Sequence, residues 1–133
     1  MKKILILILL VSSLFSNTYE TRLYEKIIPD IFQKHVVVYT DVESREFFNN
    51  KNLFSITNDC LKADIIVGKK FTIITKECME KPFFTTSYRA YRKYKNSIGA
   101  FYWSKGRPQL IFSLDKIDEF NLILPENLKR YGR

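Results

Sequence analysis

Apolar residues recur at intervals of three and four between Thr18 and Lys34, at Leu23, Tyr24, Ile27, Ile28, Ile31 and Phe32, which places them on one helix face. Pro29 has no amide proton to give, so it is expected to kink this helix or divide it in two. The pattern then changes. His35 to Thr40 (HVVVYT) is a β-branched run that reads as a buried strand. Asp41 is placed to N-cap a helix of two turns over Glu43 to Asn49, which the following Asn-Lys-Asn stretch ends. Leu53 to Thr57 and Ala63 to Val67 read as two further strands, with Gly68 closing the second. Phe71 to Thr75 fits either another strand or a buried turn.

Pro82 to Ser87 reads as a strand and Tyr88 to Lys95 as a short helix. Ser97 to Trp103 and Gln109 to Leu114 flank the polar turn Ser104 to Pro108, a pattern that predicts an antiparallel hairpin. Leu114 to Phe120 is expected to be helical, and Pro125 to begin a last helical turn reaching Tyr131. Strands alternating with helical segments predict the α/β class: one domain with a mixed central sheet flanked by helices, mainly parallel in its first half and ending in a C-terminal antiparallel hairpin.

The stretch before this pattern is different in kind. Lys2 and Lys3 head an unbroken apolar run from Ile4 to Val11, followed by small residues up to Ser16, which is the pattern of a signal peptide. The alternative, an uncleaved anchor, has only the twelve residues Ile4 to Phe15 against the roughly 20 needed to span a bilayer. Residues 1–16 are therefore expected to be removed near Ser16, leaving residues 17–133 as a periplasmic or secreted domain. No cysteine stands at the cleavage point to carry a lipid. Export removes ATP, nicotinamide cofactors and nucleic acid from the surroundings, and no cofactor is expected.

The 117 residues that remain of 133 are enough to close one hydrophobic core. Loss of Lys2 and Lys3 lowers the net charge from +8 to +6, a basic balance that attracts anionic partners without choosing among them. An even cysteine count in an exported chain favours a Cys60 to Cys78 disulfide, closing a loop of 19 residues. A redox-sensitive bridge is the alternative. The spacing is not CxxC, and with His35 the single histidine there is no zinc or other metal site to expect.

Catalysis finds little support. A Ser-His-Asp triad would need His35, at the start of a buried strand, and no GxSxG is present. Asp115, Asp118 and Glu119 lie at helical spacings that mark a solvated face. The protein is expected not to be an enzyme.

Binding has a better candidate. Tyr88 to Lys95 (YRAYRKYK), with Tyr102, Trp103, Lys105 and Arg107, interleaves flat aromatic bodies with planar or point cations, a combination suited to an anionic or protein partner. From it, Tyr88, Arg89, Arg92, Trp103, Lys105 and Arg107 are taken as the partner-binding residues. The competing reading turns Tyr88, Tyr91 and Tyr94 into the core and leaves the cations merely exposed. Nucleic acid would suit the same pattern, but export argues against it.

The last fifty residues carry an ordered series: Lys81-Pro82-Phe83-Phe84-Thr85-Thr86, then Ile98-Gly99-Ala100-Phe101, Gly106-Arg107, Leu110-Ile111-Phe112 and Leu114, then Asn121-Leu122-Ile123-Leu124-Pro125 leading to Leu128. In this order they resemble the C-terminal half of YfiR-like periplasmic proteins, with Ala63 to Val67 matching an earlier strand. The resemblance implies a glycine-aromatic strand and a returning apolar strand paired as a hairpin. It also implies a regulatory protein that represses a membrane-bound diguanylate cyclase through the cyclase's periplasmic domain. A smaller likeness, in Ala63 to Gly68 followed by Lys81 to Tyr88, is to the middle of periplasmic solute-binding proteins, which need two lobes where this chain supplies one. The expected function is thus a non-enzymatic periplasmic regulator of a membrane-bound signalling partner; the alternative is a small module binding an anionic solute or a phospholipid headgroup.

Overall fold

In the computed structural model, which describes residues 18–72 and 74–133, the apolar stripe of the first helix is the foundation of the fold. Residues 18–32 are helical (α1), and Tyr24, Ile27, Ile28 and Ile31 are each at most 1% exposed. Pro29 does not divide α1. It forfeits one backbone hydrogen bond, but the flanking Ile28 and Ile31 are locked onto the sheet, and that packing outweighs the loss. Gln33 ends the helix at a φ of 57°, its amide returning to the Pro29 carbonyl at 2.7 Å. The expected leader, residues 1–16, and its cleavage point near Ser16 lie outside the described residues. No helix among the described residues is long and apolar enough to cross a membrane.

Six strands follow: β1 (Val36–Thr40), β2 (Phe54–Ile56), β3 (Ile65–Gly68), β4 (Phe83–Thr85), β5 (Ser97–Ser104) and β6 (Arg107–Phe112). Their order in the sheet is β2-β1-β3-β4-β5-β6, parallel as far as β5 and antiparallel between β5 and β6. The fold is thus the expected α/β domain with a mixed sheet and a C-terminal hairpin. Helices α2 (Tyr88–Lys93) and α3 (Leu114–Glu119) complete the regular elements with α1.

Both sheet faces are covered, unequally. Val36, Val38, Ile65, Val67, Phe84 and Phe101 point into the larger core with α1, Ile117 and Leu128. Ile66 and Phe83 point the other way, into a small core with Ala90, Tyr94 and the bonded pair Cys60 and Cys78. That bridge joins the connection after β2 to the connection after β3, where the chain forms only 3-10 turns, at Cys60–Lys62 and Cys78–Glu80. A bonded pair of this kind fits an oxidising, extracellular or periplasmic location.

Several local expectations change. The helix expected over Glu43 to Asn49 is a single 3-10 turn, Arg45–Phe48, because adjacent Phe47 and Phe48 both insert into the core and leave no helical face to extend. The described residues of Phe71 to Thr75 form no regular element, although Phe71 packs on Phe83 and Tyr94 at 6.0 and 5.9 Å. The hairpin turn tightens to Lys105 and Gly106, at φ 52° and 75°, the pair of positive angles that matches strand twist. Ser104 and Arg107 therefore pair with each other, and Pro108 lies within β6 opposite Trp103. Proline is tolerated there because β6 is an edge strand.

Candidate functional site

Chain order fixes where a site forms. β1 and β3 are neighbours, yet the connection leaving the C-terminal end of β1 runs out to β2 while the one leaving β3 runs the other way to β4, and such a reversal point is where open parallel sheets usually hold ligands. Here the protein's own side chain fills it. Asp41, 8% exposed, accepts backbone hydrogen bonds from Ser44 (3.0 Å), Lys69 (2.9 Å) and Lys70 (3.3 Å). Its carboxylate occupies the space a side chain on residue 68 would need, and Gly68 stands there with φ 143°. Asp41 is not the expected N-cap, since Ser44 holds that position on the 3-10 turn Arg45–Phe48 and no side chain caps it; instead it holds the turn leading there through Ser44 and ties down the segment after β3.

Beside this plug, along the same edge, opens a cleft of about 540 Å³, within the usual size of a small-ligand pocket. α1 contributes Glu20 and Tyr24, and the β1–β2 connection contributes Glu43, Glu46 and Phe47. Lys69 follows β3, and Thr86, Ser87 and Tyr88 follow β4. Phe101, Tyr102 and Trp103, from the outer half of β5, close the far side. The Trp103 indole N–H donates to Glu20 Oε1 at 2.7 Å, joining β5 to α1, and Glu43 pairs with Lys69 at 3.6 Å.

Tyr24 is the unusual member. It is fully buried, its ring held by Phe47, Phe48 and Phe84 at centroid distances of 5.5, 5.1 and 5.7 Å. Its hydroxyl has no hydrogen-bond partner, the one such buried side-chain atom among the described residues. Burial first, then the Glu20 and Asp41 carboxylates, hold its proton on far above the ordinary phenol range. Burial likewise raises Tyr94, with Asp41 adding to it, and raises Tyr91, which a hydrogen bond with Ser113 partly offsets. All three keep protons in the folded state that the unfolded chain releases near pH 10. The stability this contributes is present below pH 10 and lost as pH rises through the folded values. Melting temperature is therefore expected to hold up to about pH 10 and fall above it. Phenolate absorbance from Tyr24, read as the difference between the protein and Tyr24→Phe, should rise only with unfolding; its rise in the folded protein would contradict the sealed position.

The six residues predicted for partner binding separate into two sets. Tyr88 and Trp103 come together on the cleft, 47% and 43% exposed. Arg89 and Arg92 are exposed on α2, and Lys105 and Arg107 at the hairpin tip; none of the four lines the cleft or makes an ion pair among the described residues. The alternative that buried Tyr88 in the core is corrected for that residue. Ser87 caps α2 through the Ala90 amide, so Ala90 and Tyr94 face the sheet while Tyr88 overhangs its edge, 5.9 Å from Tyr102. Sequence reasoning missed Glu20, Tyr24, Glu43, Glu46 and Lys69. The available signal was that residues just beyond parallel strand ends converge on one edge.

Elsewhere, His35 engages Asn52 O at 3.2 Å and Ser55 Oγ at 2.7 Å, linking the start of β1 to β2. Asp115, Asp118 and Glu119 are exposed, with Glu119 paired to Lys116 at 2.9 Å. No group of three or more His, Cys, Asp or Glu placed to hold a metal ion occurs among the described residues. No family model matches the chain, and neither the curated proteins nor the solved structures contain a significant match to it.

Proposed function

We propose that this protein is a non-enzymatic, periplasmic regulatory domain that binds the periplasmic region of a membrane-bound signalling protein, such as a diguanylate cyclase, and favours one of its states by occupancy. The observation that carries the reading is the meeting of exposed aromatics and unpaired cations at one end of the sheet. Tyr88 and Trp103 offer large, half-exposed surfaces there, and the hairpin tip with Lys105 and Arg107 ends on the same edge. Arg89 and Arg92 extend this surface along α2. Aromatic anchors ringed by charge are the residue types that dominate protein interfaces. The leader pattern, the bonded cysteines and the likeness to YfiR-like proteins support the compartment and the partner class.

Crosslinking the tagged protein in its own envelope, with mass spectrometry of what is captured, tests this directly. The expected capture is an inner-membrane protein with a periplasmic sensor region. Arg89→Glu, Arg92→Glu and Arg107→Glu together are expected to weaken its binding about tenfold or more, chiefly through slower association. Unchanged binding by this variant overturns the reading. A second reading is a small module that binds an anionic solute or a phospholipid headgroup through the exposed cations of α2 and the hairpin tip, and a rise in melting temperature with glycerol phosphate would support it.

A further inference from the structure

The hairpin face under α1 is wider than the helix that covers it. Leu110 and Phe112 of β6 both pack toward the α1 side, two residues apart as side chains on one sheet face must be. Phe112 is fully buried, whereas Leu110 is only partly covered and Pro108 beyond it is exposed. The last 3-10 turn, Glu126–Tyr131, covers the sheet further along, through Leu128 and Tyr131. Between that turn and α1 remains a groove of about 630 Å³. Ile27, Phe101 and Leu128 form its base, each buried in the core beneath. Tyr19, Leu23, Leu110 and Tyr131 form its walls and stay partly open to solvent. A hollow of about 480 Å³ adjoins it along α1, sharing Tyr19, Leu23 and Lys26 and reaching Arg22.

Apolar walls do not choose an occupant, but the rim does. Arg22 and Lys26 stand one helical turn apart on α1, both exposed, and neither has an ion-pair partner among the described residues. Arg130 adds a third cation across the groove, 4.8 Å from the centre of the Tyr131 ring. Among the described residues that line the two hollows, the one carboxylate, Glu126, is already engaged by Lys129 at 2.8 Å. Charge complementarity therefore asks for an anion, and the apolar length beside it asks for an anion with a chain. The space has the size of a small-ligand pocket, and a helix of about 10 Å diameter would meet only its rim.

We propose that this groove binds one fatty carboxylate, its alkyl chain lying along Tyr19, Leu23 and Leu110 and its head between Arg22 and Lys26. Removal of methylenes from water supplies most of the affinity, and the two cations fix the direction of the chain. Because both cations stay in water, they hold a singly charged head without stripping it of solvent. A phosphate monoester brings nearly two charges at neutral pH and has more hydration to lose. The groove lies on the α1 face of the sheet and uses none of the cations assigned to partner binding, so it stands or falls separately from the regulatory reading.

Trp103 is the single tryptophan of the chain, and its ring lies 6.0 Å from that of Tyr19, so its fluorescence reports occupancy. Titration with laurate, below its micelle concentration, should give a saturable change with half-saturation on the order of 0.1 mM or below. Octanoate, with a shorter chain, is expected to bind about tenfold more weakly or worse. Dodecyltrimethylammonium, with the same chain length and the opposite charge, should also lose about tenfold. Arg22→Glu with Lys26→Glu, on the exposed side of α1, is expected to keep the melting temperature within about 4 °C and to weaken laurate about tenfold. Lys76→Glu with Lys95→Glu makes the same change in net charge at exposed positions outside the groove and should leave laurate affinity within about twofold. Tyr19→Ser removes a half-exposed wall and should weaken laurate about fivefold. No saturable response to laurate, equal affinity for dodecyltrimethylammonium, tighter binding of dodecyl phosphate, or an Arg22 and Lys26 variant no weaker than the Lys76 and Lys95 variant overturns the proposal. So does a dimer in sedimentation that fails to bind laurate, which would give the groove to a second copy of the chain.

Discussion

Removing the Cys60 to Cys78 bridge, by reduction or by Cys60→Ala with Cys78→Ala, is expected to lower the unfolding free energy by about 3 kcal/mol and the melting temperature by roughly 10–20 °C. A closed loop of this length restricts the unfolded chain by an amount of that order. The location argues that the loss is felt in full. On the larger core face, α1, α3 and the last 3-10 turn, Glu126–Tyr131, bring apolar side chains to the sheet. On the other face the two connections around β3 bring only 3-10 turns and loops, and the bridge ties one to the other above Ile66 and Phe83. What else holds that face is α2, through Ala90, and a set of rings: Phe83 stacks on Tyr94 at 4.7 Å, and Phe71 meets Tyr39 and Phe83 at 6.1 and 6.0 Å. Alanine is preferred to serine because Cys78 is fully buried and a hydroxyl there would add a desolvation cost of its own. Chemical denaturation of the oxidised and variant proteins measures the difference. A loss below about 1 kcal/mol would mean that the ring cluster suffices and that the loop is already restricted in the unfolded state.

The parts of this fold that could be read from sequence are those where one periodicity dominates. α1 announces itself through Leu23 to Ile31, and β1 and β3 through β-branched runs, β3 buried on both faces and β1 on the face toward α1. The hairpin was legible from its turn residues, but not its tightness, because Lys105 adopts a left-handed angle that its residue type does not advertise. The turn at Arg45–Phe48 was misread as a helix because helix formers were present, whereas two adjacent phenylalanines needing the same core decided the outcome. The site shows the same division. Tyr88 and Trp103 were identifiable as exposed-type aromatics next to cations. Glu20 and Tyr24 were not, since on the helix period one is a surface residue and the other a core residue. Only the parallel topology, which carries the N-terminal part of α1 to the ends of β4 and β5, puts both on a cleft, and an unpaired hydroxyl is a property of three-dimensional surroundings that no spacing encodes.

Asp41→Ala is expected to cost about 3–5 kcal/mol, because one carboxylate serves three backbone donors at the reversal point of the sheet. Its removal leaves the amides of Ser44, Lys69 and Lys70 facing a small void in place of an acceptor. Asp41→Asn keeps the shape and one acceptor oxygen and should cost less, about 1–3 kcal/mol. The same contact can be tested from the other side. A Cβ on residue 68 would lie 2.6 and 2.7 Å from the two Asp41 carboxylate oxygens, and the backbone there holds a φ of 143°. Gly68→Ala therefore combines a clash with backbone strain, and alone should cost a few kcal/mol, of order 2–4. With the carboxylate gone the clash disappears and only the strain remains. The double variant is then expected to be more stable than the sum of the single losses predicts, by about 1–2 kcal/mol. Additivity within about 0.5 kcal/mol would show that Asp41 and Gly68 are not coupled and that the plug is held by something else. If the coupling is found, the reason the cleft sits beside the reversal point follows from it. The chain uses Asp41 to seal the position where parallel sheets usually bind, and the space left along that edge is the one lined by Glu20, Tyr24 and Trp103.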